Sequence, residues 1–225
     1  MPDKSIESLK TIFKRFCIVV IFGIAFAYIE AAIVVYLRTI FYPKGFTFPL
    51  TGFGMGPLWK QLLLTEIGRE AATVVLILTA AYLFGRNRPQ RFAFFLTIFA
   101  VWDIFYYIWL KVLINWPASI MDWDILFLIP VAWASPLLAP VVVSLTLIVF
   151  AVMILYRDSC AKPIRVSLTE WFGFCLAGLF VVISFCIAGL HMAEPVFESY
   201  FYWPLFIAGE MLAIVLFLKC LGKSG

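Results

Sequence analysis

Six long apolar runs follow one another along the 225-residue chain. A helix needs about 20 apolar residues to cross a hydrocarbon core about 30 Å thick, and each run is about that long. Apolar residues make up 64% of the chain, whereas a soluble domain contains about 45–50%. We therefore predict an all-α integral membrane protein with a single transmembrane domain over residues 1–225. The predicted helices span residues 16–36, 59–84, 92–114, 136–156, 168–190 and 203–218.

Basic residues are distributed unequally between the two sides of these predicted helices. Most of the lysines and arginines lie in the terminal segments and in the loops on the same side, while Arg38, Lys44 and Lys60 lie on the other side. Because positive residues accumulate in cytoplasmic loops, we predict that both termini are cytoplasmic. The size and the charge pattern favour a bacterial inner membrane. Topology explains the basic loops, so we expect the lipid bilayer as a partner and no nucleic acid.

Prolines interrupt the apolar sequence before the fourth predicted helix. Pro130 and Pro136 each remove a backbone donor, and proline inside a helix kinks or breaks it. We therefore predict a proline-broken segment at residues 125–135, in the form of a short half-helix held inside the protein. A second irregular segment, residues 39–58, is rich in proline, glycine and aromatic residues. We expect it to lie against the membrane interface and to cover a cavity.

Three ionisable residues lie close together inside the second predicted helix. Glu66 and Glu70 are four residues apart and share one helix face, with Arg69 beside them. Each such residue costs about 2.5–3.5 kcal/mol at mid-bilayer on insertion scales, so it is expected to face the protein interior. This spacing predicts a polar site between helices.

Acidic residues on other predicted helices lie at similar depths. At about 1.5 Å per residue, Glu30, Glu66 and Glu210 all come to about 10 Å beneath the extracytoplasmic surface. Glu70 and Asp103 come to about 15 Å, near mid-membrane. A cavity shared by several helices, in the extracytoplasmic half of the bundle, explains this common level.

The number of carboxyl groups in this region exceeds the number of basic groups, Arg69 and Lys111. A dry pocket does not hold such an excess of negative charge, so either some carboxyl groups are protonated or a cation is bound. Carboxylates from several helices are typical ligands of divalent metals. We predict one or two divalent ions (Fe, Mn or Zn) and no haem, since the chain has a single histidine. The predicted ligands are Glu30, Glu66, Glu70, Asp103, His191 and Glu210.

The leading functional hypothesis is a membrane-embedded enzyme with redox or hydrolytic activity on a lipid-soluble substrate. Glu66, Glu70 and Asp103 are the candidate catalytic carboxylates. Arg69 is expected to orient a carboxylate or to bind an anionic group of the substrate through two hydrogen bonds.

Aromatic residues next to Asp103 could form part of the same site. We predict that Trp102 and Tyr106 border the cavity and contact a bound substrate or a quinone. Two alternatives remain open for the same carboxylates. One is a proton- or ion-coupled transporter, and the other is a non-catalytic subunit of a larger respiratory-type membrane complex.

Overall fold

A computed structural model describes residues 9–43, 45–50 and 59–223. Within these ranges, six helices are long and apolar enough to cross a membrane, which makes the chain a multi-pass integral membrane protein. Part of the predicted cover at residues 39–58 lies outside the described residues. The helices are α1 Leu9–Phe41, α2 Trp59–Phe84, α3 Arg88–Ile114, α4 Leu138–Ser159, α5 Leu168–Leu190 and α6 Trp203–Gly222.

Helices α1, α3, α4 and α6 each extend beyond a predicted end. Helix α3 begins at Arg88 rather than near residue 92, because the Asn87 side chain accepts a hydrogen bond from the backbone N–H of Gln90 at 2.9 Å and caps the helix. A proline in the first turn is compatible with this start. Helix α1 continues to Phe41 rather than ending near residue 36, and it therefore includes Arg38.

The half-helix predicted at residues 125–135 is wrong. This region forms two antiparallel strands, β1 Trp123–Phe127 and β2 Trp133–Pro136, with Asp124 opposite Ser135. The isoleucines and aromatic residues of the segment favour strands, and Pro130 lies in the connection between them. The paired strands, called the hairpin below, satisfy backbone groups that lipid could not.

Helix packing places the hairpin against α5. Helix α3 packs against α1, α2 and α4, while α5 packs against α6 and against β2. The residue before β2 comes so close to α5 that a Cβ atom at Gly189 would lie 1.8 Å from the carbonyl oxygen of Ala132. The rings of Phe150 and Phe217 stack at 4.0 Å and connect α4 with α6.

Contacts between helix ends define two ends of the bundle. At the first, the basic end, Arg15 donates to Gln90 at 3.1 Å, and Lys223 donates to Glu170 at 2.5 Å. At the second, the hairpin end, the backbone N–H of Leu50 donates to the carbonyl of Met192 at 3.0 Å. Helix α1 begins and helix α6 ends at the basic end, so the first and last described residues lie on the same side of the bundle.

Candidate functional site

A cavity of about 830 Å³ lies among the six helices and the two strands of the hairpin. One face of α3 lines it from Arg88 through Leu96 and Asp103 to Tyr107, so the cavity follows most of the height of the bundle. Near the basic end its walls are apolar and largely aromatic. Near the hairpin end they carry carboxyl groups. The apolar walls include Phe92, Phe99, Phe150, Ile154, Trp171, Phe174 and Phe217, and the carboxyl groups are those of Glu30, Glu66, Glu70, Asp103, Asp124 and Glu210.

Arg69 joins two of these carboxylates, which come from different helices. Its Nε donates to Oε2 of Glu66 at 2.8 Å on the same helix. Its Nη1 donates to Oε1 of Glu30 on α1. The i,i+3 spacing in α2 makes the first contact possible, and the packing of the helices supplies the second. The three side chains are largely shielded from solvent, so each ion pair lies in a medium of low dielectric constant.

Glu70 has a different kind of partner. Its two carboxylate oxygens accept hydrogen bonds from the backbone N–H of Leu128, at 2.9 and 3.1 Å. Leu128 directly follows β1, so this contact connects α2 to the hairpin. The hairpin therefore fixes the position of a carboxylate that the sequence places on the same helix face as Glu66.

A second buried ion pair, Arg38 with Asp124, was missed by the sequence analysis. Nη2 of Arg38 lies 2.8 Å from Oδ1 of Asp124, and the hydroxyl of Tyr106 donates to Oδ2 of Asp124 at 3.1 Å. Arg38 is 8% exposed and Asp124 is 2% exposed. The Arg38 guanidinium also packs over the rings of Phe46 and Trp116, at 4.1 and 3.9 Å from their centroids.

One sequence signal could have identified this ion pair in part. Arg38 is eight residues after Glu30, a spacing that falls within one stripe of a helix, but the predicted helix ended at residue 36 and left Arg38 outside it. Asp124 gave no comparable signal, because its burial depends on the hairpin. Burial raises the pKa of Asp124 above its ordinary value, while the adjacent Arg38 guanidinium opposes that rise.

Asp103 and Glu210 each accept a hydrogen bond from α4. The hydroxyl of Ser144 donates to Oδ2 of Asp103 at 2.8 Å, and the hydroxyl of Thr146 donates to Oε2 of Glu210 at 2.9 Å. Both carboxylates line the cavity, on α3 and α6 respectively, and Trp102 lines it as well.

His191 lies apart from the carboxylates. Its ring stacks on that of Tyr200 at 3.9 Å between centroids, and its Nδ1 lies 2.9 Å from the carbonyl oxygen of Ile187. It is not among the described residues that line the cavity. Lys111 donates to the carbonyl oxygen of Pro117 at 2.9 Å and is likewise outside the lining.

The predicted metal ligands are therefore distributed over several contacts. Glu30 and Glu66 bind Arg69, Glu70 binds a backbone N–H, and the carboxylates on α3 and α6 bind hydroxyl groups of α4. Among the residues described, no three histidine, cysteine or acidic side chains converge as a metal-binding group. This arrangement does not present a ready ligand set, and the metal site stays a prediction.

Comparisons of the chain with protein-family models, with curated proteins and with solved structures found no match.

Replacing Arg69 by methionine is expected to destabilise the protein strongly. The Arg69→Met variant leaves Glu30 and Glu66 without their common cation in a poorly solvated site, and removal of one partner from a buried ion pair costs about 3 kcal/mol or more. Thermal unfolding in detergent should show a lower Tm. The triple variant Glu30→Gln, Glu66→Gln, Arg69→Met should recover part of the loss, because it removes the charges together.

The matched control is Arg88→Met, which removes an exposed arginine from the other end of the same cavity. Its Tm should stay close to that of the wild type. An Arg69→Met protein as stable as the Arg88→Met protein would contradict the role given to this ion-pair group.

Proposed function

We propose that this chain is a membrane-embedded enzyme that binds a lipid-soluble, amphiphilic substrate in the cavity and acts on its polar part near the hairpin end. The observation that carries the proposal is the division of one continuous cavity into an apolar half and a carboxylate-rich half. The apolar half of the cavity suits the hydrocarbon tail of such a substrate, and the carboxylate-rich half suits its polar group. This arrangement follows the usual composition of ligand sites, which are mostly apolar with a few placed polar groups.

The dimensions of the cavity support a long substrate. Its volume of about 830 Å³ falls in the upper part of the range of ligand pockets, about 300–1,000 Å³. The lining residues of α3 run from Arg88 to Tyr107, a distance on the order of 28 Å at 1.5 Å per residue. A molecule with an extended hydrocarbon chain fits this shape better than a compact one.

Glu70 and Asp103 are the best candidates for acid–base chemistry. Each carboxylate lines the cavity and is held in place by a neutral donor, the backbone N–H of Leu128 for Glu70 and the Ser144 hydroxyl for Asp103. A positioned carboxyl group can accept a proton from a reacting group or donate one to it. Arg69 is engaged with two carboxylates, which supports the orienting role that the sequence suggested for it.

The distribution of charge between the two ends supports an orientation in the membrane. The basic end carries Arg15, Arg157 and Lys223 together with Arg86 of the turn between α2 and α3 and Arg88 of the first turn of α3. By the positive-inside rule, this end is cytoplasmic and the hairpin end is extracytoplasmic, as we expect for the inner membrane of a bacterium. The carboxylate-rich half of the cavity then lies toward the extracytoplasmic surface.

A substitution at Gly178 tests whether the cavity is a ligand site. Gly178 of α5 lines the cavity, and a Cβ atom there would meet no atom within 4 Å. The Gly178→Phe variant should therefore place its ring in the cavity without disturbing the helices. Mass spectrometry of organic extracts from purified protein should show a hydrophobic molecule enriched over bulk lipid in the wild type. Its amount should fall at least about tenfold in the variant, since each 1.4 kcal/mol of lost binding is a factor of ten.

Gly68→Phe is the matched control for this experiment. Like Gly178, Gly68 is exposed, lies within a helix and has no atom within 4 Å of an added Cβ, but it is not among the described lining residues. The control protein should retain the bound molecule. Equal retention by the Gly178→Phe protein would show that the cavity does not hold it and would overturn the proposal.

The divalent metal predicted at the carboxylates is part of this proposal and can be tested separately. Of the described lining residues near the hairpin end, six carry carboxyl groups and two carry guanidinium groups, so the site needs bound cations, either protons or divalent metal. Elemental analysis of the purified wild type should find stoichiometric Fe, Mn or Zn if metal is the cation. Glu70→Gln and Glu210→Gln should each lose it. A wild-type protein without metal would leave protonated carboxyl groups as the answer.

Ion- or proton-coupled transport is the second candidate function. The observation in its favour is that the cavity follows most of the height of the bundle, with carboxylates along part of it. Carboxylates inside membrane proteins commonly form proton pathways. In that case Glu70→Gln would abolish pH-dependent flux in liposomes, whereas the enzyme proposal expects it to abolish turnover. Membership of a larger respiratory-type complex stays a prediction.

A further inference from the structure

Four of the described residues that line the cavity are also exposed. They are Arg88 and Phe92 on α3 and Trp171 and Gly178 on α5, and they are called the mouth below. Phe92 is 40% exposed and Trp171 is 44% exposed, whereas the other described lining residues are buried or half-buried. Because the exposed lining residues are confined to α3 and α5, the cavity reaches the surface of the bundle between these two helices.

The mouth residues of each helix lie on a single stripe. Phe92 is four residues after Arg88 on α3, and Gly178 is seven residues after Trp171 on α5. Spacings of four and seven residues return to the same face of a helix, so the mouth has two edges, one on each helix. Gly178 lies ten residues after Leu168, the first residue of α5, which is about 15 Å along the helix. The mouth therefore extends from the basic end to about the middle of the bundle.

Helix packing leaves a gap between these two edges. Helix α3 packs against α1, α2 and α4, and α5 packs against α6 and β2, but within the described ranges α3 and α5 have little direct contact. Among the described residues, one ring pair joins the two helices, the T-shaped contact of Phe92 with Trp171 at 5.7 Å between centroids. A Cβ atom added at Gly178 would meet no atom within 4 Å. The edge of α5 thus has free space in front of it.

Near the other end of the bundle, the hairpin closes the same gap. The ring of Phe127 on β1 lies 6.1 Å from that of Trp102 on α3 and 5.4 Å from that of Trp133 on β2, between centroids. The ring of Trp133 lies 6.2 Å from that of Phe185 on α5. Trp102 and Phe185 are both buried. This row of four rings joins α3 to α5 beside the carboxylate-rich half of the cavity, so the opening belongs to the apolar half.

The surroundings of the mouth determine what can occupy it. Both of its edges belong to membrane-spanning helices, so the hydrocarbon of the bilayer lies outside it. Inside it, the apolar cavity walls continue without a break, with Phe99 and Phe174 next along the two helices. A polar group in this position would lose its hydration without a partner, whereas a hydrocarbon chain is apolar throughout. Arg88 is the first residue of α3, and its long side chain can keep the guanidinium in water at the membrane surface.

We propose that the mouth is a lateral opening of the cavity to the bilayer and that it binds the hydrocarbon chain of the amphiphile where the chain leaves the bundle. The polar group is then held in the carboxylate-rich half, while the end of the chain stays in the membrane. The inference rests on the proposed function and names its substrate class, a membrane lipid whose chain length is not limited by the cavity. With the basic end in the cytoplasm, the opening faces the cytoplasmic leaflet.

Three saturated methyl esters test the opening in protein reconstituted in lipid nanodiscs. Asp103 is eleven residues after Phe92, which is about 16 Å along α3. Methyl octanoate is too short to span this distance, methyl hexadecanoate spans it, and methyl dotriacontanoate is longer than the whole cavity. Each unlabelled ester competes with tritiated methyl hexadecanoate in a scintillation proximity assay at matched mole fractions in the lipid. The 32-carbon ester should compete at least as well as the 16-carbon ester, because the end of its chain passes into the bilayer.

Photolabelling locates the end of the chain in the same nanodiscs. A methyl hexadecanoate with a diazirine at the end of its chain should label Phe92 and Trp171, and an excess of unlabelled ester should remove this label. Phe172 is the matched control, because it neighbours Trp171 on α5 and is 72% exposed but lies outside the described lining. Its label comes from ester in the bulk lipid and should persist in the presence of the competitor.

The outcomes separate this inference from the proposed function. A 32-carbon ester that fails to compete, or label removed equally from Phe172 and Trp171, would overturn the lateral opening. If methyl hexadecanoate still bound the wild type and not the Gly178→Phe protein, the cavity would remain the ligand site and the proposed function would stand. Equal binding of methyl hexadecanoate by Gly178→Phe and Gly68→Phe, or no saturable binding of any of the three esters, would overturn both.

Discussion

Arg69 binds two carboxylates that belong to different helices, and much of the site depends on this contact. A charged group inside a membrane bundle needs a partner, since lipid cannot solvate it. By binding Glu66 on its own helix and Glu30 on α1, Arg69 allows three ionisable groups to remain at one level of the bundle. The same requirement explains Arg38 and Asp124, which form a second pair toward the hairpin end. The cavity walls can hold this many charged side chains because each of these two arginines is paired with carboxylates.

The hairpin of β1 and β2 is the second constraint on the site. It brings Asp124 to Arg38 and Tyr106, and the N–H of Leu128 to Glu70. Irregular or extended backbone within a membrane bundle needs protein around it, and the close approach of α5 at Gly189 supplies part of that cover. The hairpin thus connects helices α1, α2, α3 and α5 through specific side chains, and it sets the geometry of the carboxylate-rich half of the cavity.

The sequence was sufficient to predict the membrane-spanning helices, because a long apolar run has few other stable structures. Spacing also predicted that Glu66 and Glu70 share a face with Arg69 beside them, which is a local property of a helix. It could not predict the hairpin, since a short apolar run is compatible with a strand or with part of a helix. The pairing of Arg38 with Asp124 was missed for the same reason. The partner of each carboxylate depends on tertiary packing, which the sequence does not show. Tertiary packing also places His191 against Tyr200, where their rings stack, apart from the carboxylates of the cavity.

The most direct test of a ligand site inside the bundle is photolabelling with a lipid-soluble amphiphile, a long-chain methyl ester whose hydrocarbon chain carries a diazirine near its end. Peptide mass spectrometry would map the label that an excess of unlabelled ester removes. We expect this competed label on the apolar cavity walls, at Phe99, Phe150 and Phe174. Label found only on outward-facing side chains such as Leu83 and Phe172, which are 82% and 72% exposed, would contradict a ligand site inside the bundle.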